Sequence, residues 1–180
     1  MSEHAQRVLS AAVEFLERGG CEAVTVRGVA RVARVSHSKI YQIFGTRDEL
    51  IVAAISRWTA THTELPFPSV ARRDNRRQET LVRLFFHHFD PWRRHPNMLR
   101  AYYRAKSGPG GERLERVGFA ARLSAALATV LADADADYRT DMLLVLSGLA
   151  ESVALRYAET GVEHDIRPTL ERITRLLTSP

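Results

Sequence analysis

The chain has 180 residues, 45% hydrophobic and 26% charged, with a net charge of +5 and a pI near 9.9. This is the make-up of a soluble globular chain of one large domain, or of a small one plus a medium one. It excludes a membrane-spanning chain, since no uninterrupted apolar stretch reaches span length, and with one cysteine, Cys21, it excludes an internal disulfide. Glu3, His4, Gln6 and Arg7 interrupt any apolar leader, so a cytoplasmic protein is expected. Glycine and proline are few and no segment alternates with period two, which predicts an all-α fold of about nine helices.

The segment AQRVLSAAVEFLERGG predicts an amphipathic helix with Val8, Ala12, Phe15 and Leu16 on one face, stopped at Gly19-Gly20. Thr25 is an N-cap candidate for VRGVARVA, with Val26, Val29, Ala30 and Ala33 inward and Arg27, Arg31 and Arg34 outward. Ser36 caps the next short helix, which ends at Phe44. Thr46-Arg47-Asp48-Glu49 has the capping-box spacing and opens a long helix through Leu50, Ala53, Ala54 and Trp58, ending before Pro66.

LPFPSVARRDNRR is a proline-punctuated polar connection. Beyond it Leu81, Phe85, Phe89 and Trp92 stripe a helix interrupted near Pro91 and Pro96, and MLRAYYRA is a short helix closed by SGPGG. Phe119, Leu123, Leu127 and Val130 mark another, followed by the polar turn ADADAD. Met142, Leu146, Leu149, Val153 and Tyr157 stripe the helix from Asp141 to Thr160, and Ile166, Leu170, Ile173 and Leu177 stripe the last.

Residues 25 to 50 hold the most informative pattern. Two short capped helices with apolar inner faces, joined by a tight turn, are the parts of a helix-turn-helix. Ile40 and Phe44 are spaced to face Val29 and Phe15, leaving Lys39, Tyr41 and Gln42 outward. No acidic residue occurs from Ala23 to Arg47, while Arg27, Arg31, Arg34, Lys39 and Arg47 all do. A basic run of this kind permits contact with nucleic acid.

The stretch from Arg7 to Ile55, including AAVEFLERGGCEAVTVRGVARVARVS, the pair Tyr41 and Phe44, and TRDEL, resembles the N-terminal domain of TetR-family transcriptional regulators. The resemblance implies a helix-turn-helix domain over residues 1–50 and a helical effector-binding and dimerisation domain over residues 51–180. It implies phosphate contacts at Thr25, Arg27, Tyr41, Thr46 and Arg47, with Ser36 at the groove. His37, Ser38, Lys39 and Gln42 are the candidates for base edges, because lysine donates to guanine and glutamine pairs with adenine. The chain departs from the family pattern in four places: Arg34 stands where the turn often has glycine, Ser38-Lys39 replace Gly-Thr, and Ile43 and Gly45 replace an aromatic and a proline.

The same resemblance implies partners: double-stranded DNA with a palindromic operator, a second copy of the chain as homodimer, and a small, largely apolar effector. Expected effector-lining residues are Trp58, Phe85, Phe89 and Trp92, then Met98, Tyr102, Tyr103 and Phe119, with Leu123, Met142 and Leu146 from later helices. HPNMLRAYYRA is also similar to a helix of actinobacterial repressors of cholesterol catabolism, which implies a steroid or acyl-thioester effector. The expected dimer face comprises Leu149, Val153 and Tyr157 together with Leu170, Ile173 and Leu177.

Catalysis finds little support. GGCEAV gives Cys21 no histidine or aspartate partner, and adjacent His87 and His88 point about 100° apart on a helix and cannot readily share an ion with Asp90 or His95. No metal site, cofactor or enzymatic activity is expected. The competing reading is a helical ligand-binding protein or enzyme in which the helix-turn-helix is only structural.

Overall fold

The computed structural model describes residues 1–62, 77–117 and 119–160, together with 168, 171–173 and 175. Among the described residues are nine helices and no strand, the all-α class expected: α1 (Glu3–Ala23), α2 (Val26–Ala33), α3 (His37–Phe44), α4 (Arg47–His62), α5 (Arg77–Arg94), α6 (Pro96–Lys106), α7 (Gly111–Val117), α8 (Phe119–Val130) and α9 (Ala136–Thr160). They gather in two compact units that do not follow chain order. One comprises Met1–His62 with Trp92–Gly118, the other Thr63–Pro91 with Phe119–Pro180.

In the first unit α1 packs against α2, α4 and α6. Val8, Ala12 and Leu16 are its fully buried spine. The Gly19-Gly20 pair kinks α1 rather than ending it, because Gly20 takes φ +66° and one further turn follows to Ala23. Side chains from elsewhere satisfy the carbonyls that the kink and the helix end leave over. Asn97 Nδ2 donates to the Glu17 and Arg18 carbonyls at 2.9 Å each, and Arg47 donates from Nε to Val24 O at 2.7 Å and from Nη2 to Cys21 O at 2.5 Å.

The next three helices are each started by a hydroxyl. Thr25 Oγ1 accepts from Gly28 N at 3.0 Å, Ser36 Oγ from Lys39 N at 3.2 Å, and Thr46 Oγ1 from Glu49 N at 3.1 Å. Glu49 Oε2 accepts from Thr46 N at 2.9 Å, completing the capping box that the TRDE spacing predicts. A side chain on Gly45, at φ +73°, would run into that same carboxylate. The α2–α3 turn closes on Arg34 at φ 55° and ψ 50°, the one non-glycine residue with positive φ among the described residues. Left-handed geometry disfavours any side chain, whereas glycine adopts it freely. Replacing Arg34 by glycine is therefore expected to raise stability by about 0.5–1 kcal/mol. A melt should show this as a rise of roughly 1–4 °C.

Only Ile40 of α3 is fully buried, and Phe44 is half-buried beside it. Burial of an isoleucine side chain contributes about 1.5–3 kcal/mol, enough to seat one short helix but not to bury it. The other outward residues of α3 therefore stay in solvent. Further along, α4 packs against α1, α6 and α7. Trp58 near its C-terminal end is 1% exposed, donates from Nε1 to Glu17 Oε1 at 2.8 Å, and meets Trp92 edge-on at 4.7 Å between centroids. His62 stacks on Trp58 at 4.6 Å and His95 approaches it edge-on at 5.4 Å.

Besides the kink in α1, three elements differ from the sequence reading. Helix α5 passes Pro91 and ends only at Arg94; the proline sits in its last turn, where a single missing amide bond is offset by burial of Trp92. A short helix, α7, follows the glycine-rich turn, with Leu114 as its buried anchor. Helix α9 begins at Ala136 inside the ADADAD turn, because Asp135 Oδ1 accepts from the amides of Asp137 and Tyr138 at 2.9 and 3.3 Å.

In the second unit α8 packs along α9, and Ser124 Oγ meets Ser147 Oγ at 2.8 Å. Phe85 and Phe89 of α5 are buried, their rings 6.3 Å apart, and Tyr157 of α9 meets Phe89 edge-on at 5.9 Å.

Candidate nucleic-acid interface

The N-termini of α2 and α3 open onto one groove of about 690 Å³, lined by Thr25, Arg27, Gly28, Ala30, Arg31, Val35, Ser36 and His37. Each N-terminus presents first-turn amides with no intrahelical acceptor, and such amides attract anions. Gly28 keeps this corner tight: a Cβ there would lie 2.9 Å from Thr25 Oγ1 and 3.4 Å from Phe15 Cζ, disturbing the cap of α2.

Charge reinforces the geometry. Arg27, Arg31, Arg34 and Lys39 are exposed and have no carboxylate within ion-pair distance among the described residues. Elsewhere in the same unit Arg7 pairs with Glu3, Arg18 with Glu14, and Arg104 with Glu22. Four uncompensated cations on two adjacent short helices leave a positive surface suited to a polyanion.

Of the ten residues the sequence assigns to DNA, nine are exposed: Thr25, Arg27, Ser36, His37, Ser38, Lys39, Tyr41, Gln42 and Thr46. Tyr41, at 50% exposure, is a large aromatic ring left in solvent, unlike Ile40 beside it. Arg47 is different: three of its donors face the Cys21 and Val24 carbonyls and Asp48, so its main employment is to hold the α1–α2 corner. Arg31, which lines the groove, is absent from the sequence assignment. Its signal was present, since it lies four positions after Arg27 on the same outer face of α2.

The residues expected to line an effector site divide between the two units. Trp58, Trp92, Met98 and Tyr102 are buried in the first, with Trp92 5.2 Å from Tyr102 and half-buried Tyr103 5.2 Å from Tyr102. Phe85, Phe89, Leu123, Met142 and Leu146 are buried in the second. The Phe119 side chain lies outside the described residues. On α9, Leu149, Val153 and Tyr157 are half-buried, with Tyr157 turned to Phe89 of its own unit. Ile173 is half-buried; Leu170 and Leu177 lie outside the described residues.

Cys21 is buried and its Sγ donates to Ala101 O at 3.7 Å. Burial pushes the thiol above its usual range, against the opposing pull of Arg104 and Arg47. A thiol so raised stays protonated near neutral pH and is a poor nucleophile. Among the described residues no group of three histidine, cysteine or acidic side chains is placed to hold a metal ion, and no helix is long and apolar enough to cross a membrane.

Two family models match the chain: residues 8–54 fit the bacterial regulatory proteins of the tetR family, and residues 75–177 fit the Tetracyclin repressor-like C-terminal domain. No curated protein is similar in sequence at a significant level. Among solved structures, a tetR-family transcriptional regulator from Streptomyces coelicolor superposes with a TM-score of 0.72 at 17% identity, over 98% of this chain and 80% of that one. FadR from Bacillus subtilis, solved in complex with stearoyl-CoA, gives 0.69 at 14% identity over 97% of both chains. The fatty acid degradation regulator FadR from Bacillus halodurans gives 0.67 at 14% identity, over 98% of this chain and 95% of that one. At these identities the likeness concerns the fold. The family models span the capped helix-turn-helix and most of the helices after it, and the chain therefore belongs to the TetR family of DNA-binding transcriptional regulators.

Proposed function

We propose that this protein is a ligand-responsive repressor that binds a palindromic operator as a homodimer and leaves it when a small, largely apolar effector binds. The observation that carries the reading is the groove at the N-termini of α2 and α3, with its hydroxyl caps and uncompensated cations. Phosphates meet Thr25, Arg27, Tyr41 and Thr46, and Arg31 joins them from the groove wall. Arg47 acts by fixing the corner that presents them. His37, Ser38, Lys39 and Gln42 reach base edges, since they are exposed on the first turns and outer face of α3.

The second unit supplies the effector site, around Phe85, Phe89, Leu123, Met142 and Leu146. A long-chain acyl thioester is the effector class best supported, because the similar Bacillus subtilis FadR is bound to stearoyl-CoA and the side chains buried here are apolar. Effector and operator then oppose each other through different affinities for two conformations.

Self-association uses the outer face of α9. Leu144, Val145 and Leu155 are 75%, 43% and 40% exposed and share that face with Gly148, around which a Cβ would meet nothing within 4 Å. An exposed apolar stripe with a small residue at its centre suits a two-fold contact between identical helices.

Lys39→Ala is expected to weaken operator binding by about 10- to 100-fold and to lower the slope of log affinity against log salt by about one. Gln42→Ala should instead relax base preference at one position of each half-site with the salt slope unchanged. Fluorescence anisotropy with labelled duplexes at several salt concentrations reads both. Unchanged affinity and slope in both variants would remove α3 from the interface.

A further inference from the structure

The turn between α2 and α3 carries a strain that its own bonds do not require. Arg34 stands at φ 55° and ψ 50°, and two backbone bonds close the helix there. Arg34 N and Val35 N both donate to Ala30 O, the second at 3.1 Å. Glycine would make the same two bonds without the strain, because neither uses a side chain. A residue held in such a conformation points to a use for its side chain.

Folding makes no use of the guanidinium. Arg34 is exposed, and its side chain has no hydrogen bond, ion pair or ring contact among the described residues. The carboxylates nearest along the chain are engaged elsewhere: Glu22 with Arg104, Asp48 with Arg47, and Glu49 with Thr46.

Its neighbours define what it can meet. Arg27, Arg31 and Arg34 follow at intervals of four and three, so they lie along one outer face of α2 and its end. Arg27 and Arg31 line the groove at the N-termini of α2 and α3. Val35 and Ser36, the two residues after Arg34, line it as well, which puts Arg34 at its edge. Like charges at this spacing repel, so the stripe is unfavourable in the free chain and favourable once phosphates lie along it. The first helix of a helix-turn-helix crosses the DNA backbone, which sets such a stripe against phosphates and not base edges.

We propose that Arg34 is a phosphate-binding residue of the nucleic-acid interface, held in a left-handed turn that glycine would occupy without strain. The arginine lowers the stability of the free chain and raises its affinity for DNA of any sequence. The inference rests on the reading of α2 and α3 as the DNA-binding element and adds to it a contact that carries no sequence information.

The test is fluorescence anisotropy of the full chain with a labelled duplex of mixed sequence, across a salt series. Arg34→Gly should bind more weakly and lower the slope of log affinity against log salt by about 0.9 for each bound chain. The advantage of the wild type should accordingly shrink by roughly 3.5-fold per bound chain as salt rises from about 50 to 200 mM. Arg34→Asn, which also tolerates the left-handed turn, should match glycine. Arg34→Lys, which keeps a cation for phosphate, should keep the wild-type slope. Thermal melts should place Arg34→Gly above the wild type, so that the weaker binder is the more stable protein. Equal slopes for wild type and Arg34→Gly, or a lysine variant as weak as the glycine one, would overturn the proposal and leave the repressor reading intact. A wild type without salt-sensitive binding to duplex DNA would overturn both.

Discussion

Trp58→Ala is expected to cost about 3–5 kcal/mol of stability, the range for truncating a buried tryptophan. Trp58 is almost wholly enclosed, and its ring contacts Trp92, His62 and His95, so little can collapse into the space left behind. Loss of Nε1 also removes a hydrogen bond to Glu17, although His95 Nδ1 remains 3.3 Å from the same carboxylate oxygen. Trp58→Phe keeps most of the apolar contact and should lose only about 1–3 kcal/mol. Urea unfolding of both variants measures the difference. A loss below about 1 kcal/mol for Trp58→Ala would show that this cluster does not anchor α4 to α1 and the α5–α6 corner.

The second large effect concerns assembly. Leu144→Arg places a charge on the most exposed apolar side chain of α9, where the free chain has nothing to clash with. The fold should be unaffected, but the charged, longer side chains would meet across the two-fold axis in place of the apolar leucines. Sedimentation should then change from dimer to monomer, and operator affinity should fall by about 10²- to 10⁴-fold, because two linked half-site contacts become independent ones. A variant that stays dimeric would displace the self-association face from this stripe. Leu149, Val153 and Tyr157, which the periodicity alone offered, would become the next surface to test.

The difference between those two sets shows what was legible in the sequence. Helical periodicity marks the apolar side of α9 but cannot say whether neighbours in the same chain already cover it; Tyr157 proves to be taken by Phe89. Caps were the clearest signals, because a hydroxyl or carboxylate three residues ahead acts locally. Thr25, Ser36 and the Thr46–Glu49 box all make the bonds their spacing predicts. The left-handed turn at Arg34 was visible only as a mismatch with the family's usual glycine, and the geometry confirms it. Helix α7 is short, and Leu114 is the buried large apolar residue among its described side chains, too little to show a period. Arg47 stood in a basic run, and nothing local could reveal that carbonyls of Cys21 and Val24, more than twenty residues earlier, would hold it. The aromatic cluster from Phe85 to Tyr103 reads as one group along the chain, yet the fold divides it between two units near Pro91.

The proposed repressor function rests on α2 and α3 as the element that reads DNA. The most direct measurement is selection of binding sites by the full chain from random double-stranded DNA, run in parallel with a Lys39→Ala, Gln42→Ala double variant. The wild type should enrich an inverted repeat whose half-sites lie about one helical turn, or a multiple of it, apart. The double variant should lose that sequence while keeping weak, salt-sensitive binding. No enrichment by the wild type, or the same repeat enriched by both proteins, would contradict the assignment.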